Sequence, residues 1–125
     1  MPENNNLTLV MGASANPSKY AYLAAYRLHE RDKPFILLSI KPGELLGQKF
    51  LNLADKPAIE HVHTVTLYIG AIRLAEWQDY ILSLKPKRII FNPGTENMAL
   101  ADAANALGVE TVFGCTLVML GTGQY

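Results

Sequence analysis

The chain is expected to fold as α/β: a doubly wound, mostly parallel sheet of five strands with helices on both faces. Three observations lead there. Apolar runs of strand length alternate with segments whose apolar residues recur at helical spacing, which implies crossover connections and parallel strands. With 125 residues, half of them hydrophobic and 18% charged, the chain has the size and composition of one domain with a real core. One helical segment carries small residues at Ala21, Ala24 and Ala25 on a single face, which lets a helix lie close against a sheet. Right-handed crossovers then distribute the helices to both sides.

Residues 1–6 are polar and expected to be disordered. "LTLVMG", residues 7–12, reads as a buried strand. The spacing predicts a helix over 18–31, with Asn16 as its cap, Pro17 at the first helical position, and Leu28 completing the small-residue face. "DKP" is a turn, and the unbroken apolar run "FILLSI", 35–40, is a second strand. Residues 41–61 read as irregular, interrupted by Pro42, Gly43, Gly47 and Pro57. The β-branched run "HVHTVTLYI", 61–69, predicts the third strand. Leu74, Trp77, Ile81 and Leu84 form one stripe of a helix over 71–84, which Pro86 ends. "RIIFN", 88–92, is the fourth strand. "PGTEN" turns into a helix running to about Leu107, with Leu100, Ala103, Ala104 and Leu107 facing inward and Gly108 stopping it. "VETVFG", 109–114, is the fifth strand, and the remainder reads as a short tail. No repeat, low-complexity stretch or composition break divides the chain, so residues 1–125 read as a single domain.

Lys plus Arg equals Asp plus Glu, 11 each, so there is no global basic field for nucleic acid or an anionic membrane. No apolar run approaches the roughly 20 residues of a membrane span. "MPENNNLTLVMG" lacks the positive start and long apolar stretch of a secretion signal. A single cysteine excludes an internal disulfide and suits a reducing compartment. A cytoplasmic protein is the expectation.

Sheets of this kind bind ligands at the carboxyl ends of their strands, where strand order reverses. The first such end is "GASANPSK". Gly12 lets a ligand approach the backbone, Ser14 and Asn16 add polar groups, and the following helix aims its free N–H groups and positive dipole end at the loop, with Lys19 in its first turn. This is either a phosphate cradle or a tight capped turn. The end of the second strand bears on the choice. A dinucleotide site for NAD usually carries an acidic residue there. Here the chain reads Ser39, Ile40, Lys41. A lysine suits an extra phosphate on the ribose, as in NADP or coenzyme A.

Other chemistry is sparse. His61 and His63 alternate along a strand and share a face, but no carboxylate or thiol in sequence completes a metal site, so no metal is expected. Glu96 lies in a helix first turn, where the dipole favours a carboxylate without any catalytic role. Trp77 belongs to the helix stripe and reads as core. No Ser/His/Asp order, paired carboxylates or P-loop is present, and no catalytic residue is assigned.

Four segments, "VMGASANPSKYAY", "ILLSIKPGELLGQKFLNLADKP", "FNPGTEN" and "FGCTLVM", resemble the small stand-alone CoA-binding proteins of bacteria. Their Rossmann-type domain is similar to the N-terminal domain of the succinyl-CoA synthetase α subunit. In order and spacing the segments cover nearly the whole chain. The chain departs from the usual pattern at Asn92, where Gln is common, at Lys41–Pro42, where Asn-Pro is common, and in "YIGAI", where an Arg with prolines often follows the third strand. The resemblance implies that Gly12, Ala13, Ser14, Asn16 and Lys19 hold the CoA phosphates, and that Lys41 and Pro42 border the adenosine ribose. It also implies that Tyr68, Ile69 and Gly70 flank the adenine or the start of pantetheine. Pro93 and Gly94 would form the opposite rim, and Cys115 would face the cleft.

The function implied is non-catalytic binding of coenzyme A or an acyl-CoA. The alternatives are a small NADP-dependent oxidoreductase and an interaction module whose nucleotide pocket is vestigial. Cys115 reads either as a small buried hydrophobe or as a thiol able to form a mixed disulfide with CoA. The partner expected is a small-molecule nucleotide, with no nucleic acid and no membrane. An open sheet of this size can also pair as a homodimer.

Overall fold

The computed structural model describes residues 6–125. All but one residue of the tail expected to be disordered, 1–6, lies outside that range. In chain order the elements are β1 (Leu7–Met11), α1 (Tyr20–Glu30), β2 (Phe35–Ser39), β3 (Glu44–Leu45), β4 (Gln48–Lys49), β5 (Leu51–Asn52), β6 (Val62–Leu67), α2 (Gln78–Ser83), β7 (Arg88–Phe91), α3 (Met98–Ala106), β8 (Glu110–Phe113) and α4 (Thr116–Gly121). Six strands form one sheet in the order β5-β2-β1-β6-β7-β8, and every neighbouring pair is parallel. The chain leaves β1 toward β2 on one side and returns to β6 on the other. The reversal of strand order therefore falls between β1 and β6.

Side chains alternate across the sheet. Val10 and Leu37 face α1 and α4, meeting Ala21, Ala25, Leu28 and Leu120. Leu9, Met11, Val65, Leu67, Ile89 and Phe91 face α2 and α3, meeting Leu74, Ile81, Leu100 and Ala104. This is the doubly wound sheet that the alternation of the sequence implies, with the small-residue face of α1 buried as expected.

The differences have local causes. The sheet has six strands, not five, because the segment read as irregular contributes β5; the same segment forms a separate antiparallel β3–β4 hairpin and a 3₁₀ turn at Leu53–Asp55. Two-residue strands leave no periodicity to read. The expected tail is helical: α4 packs Leu120 on the α1 side, and the backbone N–H groups of Gln124 and Tyr125 both bond Met119 O. The Tyr125 ring lies 4.6 Å from the Arg88 guanidinium, and the Tyr125 carbonyl accepts from Arg88 Nη1 at 3.0 Å. Asn16 does not cap α1. Its Oδ1 accepts from the backbone and hydroxyl of Ser18 (3.0 and 2.8 Å), and the helix begins only at Tyr20. Leu107 is 66% exposed, since α3 stops at Ala106 and the chain turns away.

Glu96 precedes α3 instead of sitting in its first turn. Asn97 caps that helix through the Leu100 N–H at 2.9 Å, while Glu96 accepts from the Gly94 N–H at 2.9 Å. His61 has φ 61° and stands before β6, so it does not share a strand face with His63. His63 Nδ1 lies 2.8 Å from Thr64 Oγ1. Among the described residues no three His, Cys, Asp or Glu side chains converge on a metal position, and no helix is long and apolar enough to cross a membrane.

Candidate binding cleft

The strand reversal opens a cleft of about 520 Å³ across the carboxyl ends of β2, β1, β6 and β7. Gly12 makes it possible. Its φ is 97°, and a Cβ there would sit 2.9 Å from the Tyr68 carbonyl oxygen, so only glycine lets the ends of β1 and β6 approach this closely. The Gly12 and Ala13 N–H groups both donate to Leu38 O, at 2.9 and 2.8 Å. These two residues thus supply room more than donors. Beyond them the first loop reaches α1, an 11-residue helix with no side-chain cap and no acidic residue in its first turn. Its first residues, Tyr20 and Ala21, lie on the cleft wall. The unpaired N–H groups and positive dipole of that helix end therefore border the cleft.

Ten of the thirteen residues singled out from sequence line this one space: Gly12, Ala13, Ser14, Lys19, Lys41, Tyr68, Ile69, Gly70, Pro93 and Gly94. Asn16, Pro42 and Cys115 do not. The Asn16 side chain is turned onto Ser18. Cys115 is half-buried at the start of α4. Sequence reasoning missed Arg73 and Trp77, carried in by a 3₁₀ helix at Arg73–Trp77, and Leu53, carried in by the other 3₁₀ turn. It also missed Tyr20, Ala21, Ser39, Ile40 and Thr95. The signal for Leu53 was available in "NLAD", where Asn52 Oδ1 accepts from the Ala54 N–H at 2.9 Å as a helix cap does. Trp77 is 9% exposed and belongs to the core as expected, but it also borders the cleft, and its indole N–H has no partner.

The electrostatics are one-sided. Lys19, Lys41 and Arg73 line the cleft, one from each of the ends of β1, β2 and β6, and among the described residues no carboxylate does. Ser39 is buried and holds the Lys41 backbone N–H at 3.1 Å, which fixes the chain where the lysine emerges.

The far wall rests on a buried polar network. Asn92 donates to Thr66 Oγ1 and Leu67 O (2.7 and 2.8 Å) and accepts from the Thr116 N–H at 2.9 Å, joining β6, β7 and α4 beneath the cleft. Asn97 Nδ2 bonds Ala71 O at 2.9 Å, tying the α3 cap to the loop that follows β6. The Tyr68 hydroxyl is buried beside this network without a hydrogen-bond partner. Burial pushes its pKa up to about 12, against the pull of the neighbouring Thr116 and Thr66 hydroxyls.

A doubly wound domain with an open, cation-lined cleft at its strand reversal is the class that fold and site define. Residues 6–121 match the CoA binding domain family, and the chain belongs to it. A crystal structure of an uncharacterized protein is 49% identical, with a TM-score of 0.92 over 96% of this chain and 98% of that one. A Thermus thermophilus protein shares the fold at 18% identity, TM-score 0.80, over 96% of this chain and 90% of that one. A conserved hypothetical protein from Pyrococcus furiosus does so at 23% identity, TM-score 0.76, over 90% and 97%. No curated protein matches the chain.

Proposed function

We propose that this chain binds coenzyme A or an acyl-CoA in the cleft at the strand reversal, without catalysing a reaction on it. One observation carries the reading: three cations and an uncapped helix N-terminus surround a cleft that no carboxylate of the described residues lines, in a chain of the CoA binding domain family. CoA carries three phosphate groups, and the cleft offers three cations to them, Arg73 among those available to the diphosphate. Lys19, Ser14 and the start of α1 hold the diphosphate, with Gly12 and Ala13 giving it room. Lys41 holds the 3′-phosphate on the ribose. Tyr68, Ile69 and Gly70 pack against the adenine or the start of pantetheine, facing Pro93 and Gly94. The non-catalytic part of the reading is supported by the lining, which among the described residues includes no carboxylate, imidazole or thiol to act as acid, base or nucleophile. A reducing cytoplasm suits the single free thiol.

The test is a thermal-shift titration with CoA, acetyl-CoA, NADP and NAD in parallel, since a ligand that binds only the folded state raises its stability by mass action. A shift with the CoA species alone is the expected result. A shift with NADP alone would replace the reading with a nicotinamide-cofactor site, and no shift at all would leave a pocket without its ligand. Mass spectrometry after incubation with CoA disulfide tests whether Cys115 takes part: an adduct on that residue places the CoA thiol within its reach.

A further inference from the structure

We propose that the β8 edge of the sheet is a two-fold interface between two copies of this chain. The inference is independent of what the cleft binds. The two edges of the sheet differ. The β5 edge is two residues long and runs at once into a 3₁₀ turn and Pro57, which blunts it. The β8 edge has none of these protections: it holds four residues, no proline and no lysine, and among the described residues it pairs only with β7.

The backbone directions fix how a second copy fits. Glu110 N donates to Lys87 O and Gly114 N to Phe91 O, both toward β7. Alternation then turns the N–H and C=O groups of Thr111 and Phe113 outward. Two copies related by a two-fold axis at Val112 run antiparallel, and Thr111 of each exchanges both bonds with Phe113 of the other. That satisfies four residues' worth of outward backbone. Side chains on the paired strands stay on matching faces, as the pleat requires.

Charge favours a second copy over an unrelated partner. Around a two-fold axis each residue meets its own copy or a near neighbour, so a charged residue at the axis would repel itself. Residues 103–125 carry a single charged side chain, Glu110, in a chain that is 18% charged. In this register Glu110 lies opposite Gly114, not opposite itself. The surface is also apolar. Phe113 is 48% exposed although its ring stacks on Phe91 at 4.9 Å, and Leu107 at the end of α3 is exposed as well. A stable interface buries roughly 1,200 Å² or more in total, so these flanking apolar groups must be covered along with the strands.

Sedimentation equilibrium of the full chain, with and without CoA, is the experiment. The expected mass is twice the 13.8 kDa of one chain. Val112→Lys brings two like charges together at the axis and should give the monomer mass. Thr111→Pro removes an outward N–H that β7 does not use, so the fold survives, and it too should give the monomer. Leu51→Lys, on the opposite β5 edge, should stay dimeric. Monomer mass for the unaltered chain would overturn the proposal. So would a dimer that persists in Thr111→Pro, which decides the matter even if Val112→Lys fails to fold.

Discussion

The wall of the cleft after β1 and β2 and the wall after β6 and β7 are put together differently. On the first side, neighbours in sequence do the work: Gly12 opens the turn, α1 follows at once with an uncapped end, and Ser39 holds Lys41 two residues on. On the second side, the groups that hold the wall are far apart in sequence. Asn92 links residues of β6 and α4, and Asn97 reaches back to Ala71. The first wall is local turn chemistry and the second is a buried network. A substitution on the first side should act mainly on the ligand. One on the second should act on the fold and, through it, on the ligand. Gly12 is the exception, because it is where the two walls touch.

The largest effect is therefore expected at Gly12. Gly12→Val adds a contact inside van der Waals distance of the Tyr68 carbonyl to a backbone at φ 97°. The conformation alone costs about 1–3 kcal/mol, and the collision adds to it. Urea denaturation should show most of the stability gone, and a midpoint left unchanged would mean that β1 and β6 are not held this close. Next comes Asn92→Leu, which strands the Thr116 N–H and the Leu67 carbonyl in the interior. At about 1–3 kcal/mol for each unsatisfied group, a loss of about 2–6 kcal/mol is expected in the same measurement, with weaker CoA binding as its consequence. Stability retained with binding lost would move Asn92 from the scaffold to the ligand.

Lys41→Ala and Arg73→Ala sharpen the comparison by acting on the two walls with no buried network involved. Each removes one charge-assisted contact of about 1.5 kcal/mol, or roughly tenfold in Kd, with the urea midpoint unmoved. Lys41→Ala should also abolish the preference for CoA over dephospho-CoA, whereas Arg73→Ala should weaken both alike. An Arg73→Ala protein that binds as the original does would confine the phosphate contacts to the first wall.

The smallest effect belongs to neither wall. Burial, then the positive charges of Arg88 and Lys87, hold the His63 pKa below its ordinary 6.5, with Glu110 opposing. The unfolded chain therefore takes up a proton that the folded one refuses. Stability should fall as pH drops below about 6.5 and level off beneath the folded pKa. His63→Gln should flatten that slope in a pH series of urea midpoints, and cleft binding should not follow it.

The same contrast explains what the sequence made legible. The five long strands, the alternation of faces and the first loop follow from apolar periodicity and from turn residues whose neighbours are adjacent. Lys41 was readable as a cleft residue because it stands just past a strand end. Arg73 was not, because nothing in "GAIRLAEW" distinguishes a 3₁₀ helix that swings an arginine to the cleft from a regular helix that buries its stripe. Leu74 and Trp77 are buried under either reading. Helix α4 escaped because a six-residue apolar run shows less than two turns of period. Asn16 misled because an Asx turn onto Ser18 and a helix cap draw on the same residue types.

The most direct test of the proposed ligand is calorimetric titration of the purified chain with CoA and, separately, with dephospho-CoA. Saturable binding of one CoA per chain, weakened about tenfold when the 3′-phosphate is missing, is the expected result. Equal affinity for the two would remove Lys41 from the ribose phosphate, and no heat from either would contradict CoA binding in this cleft.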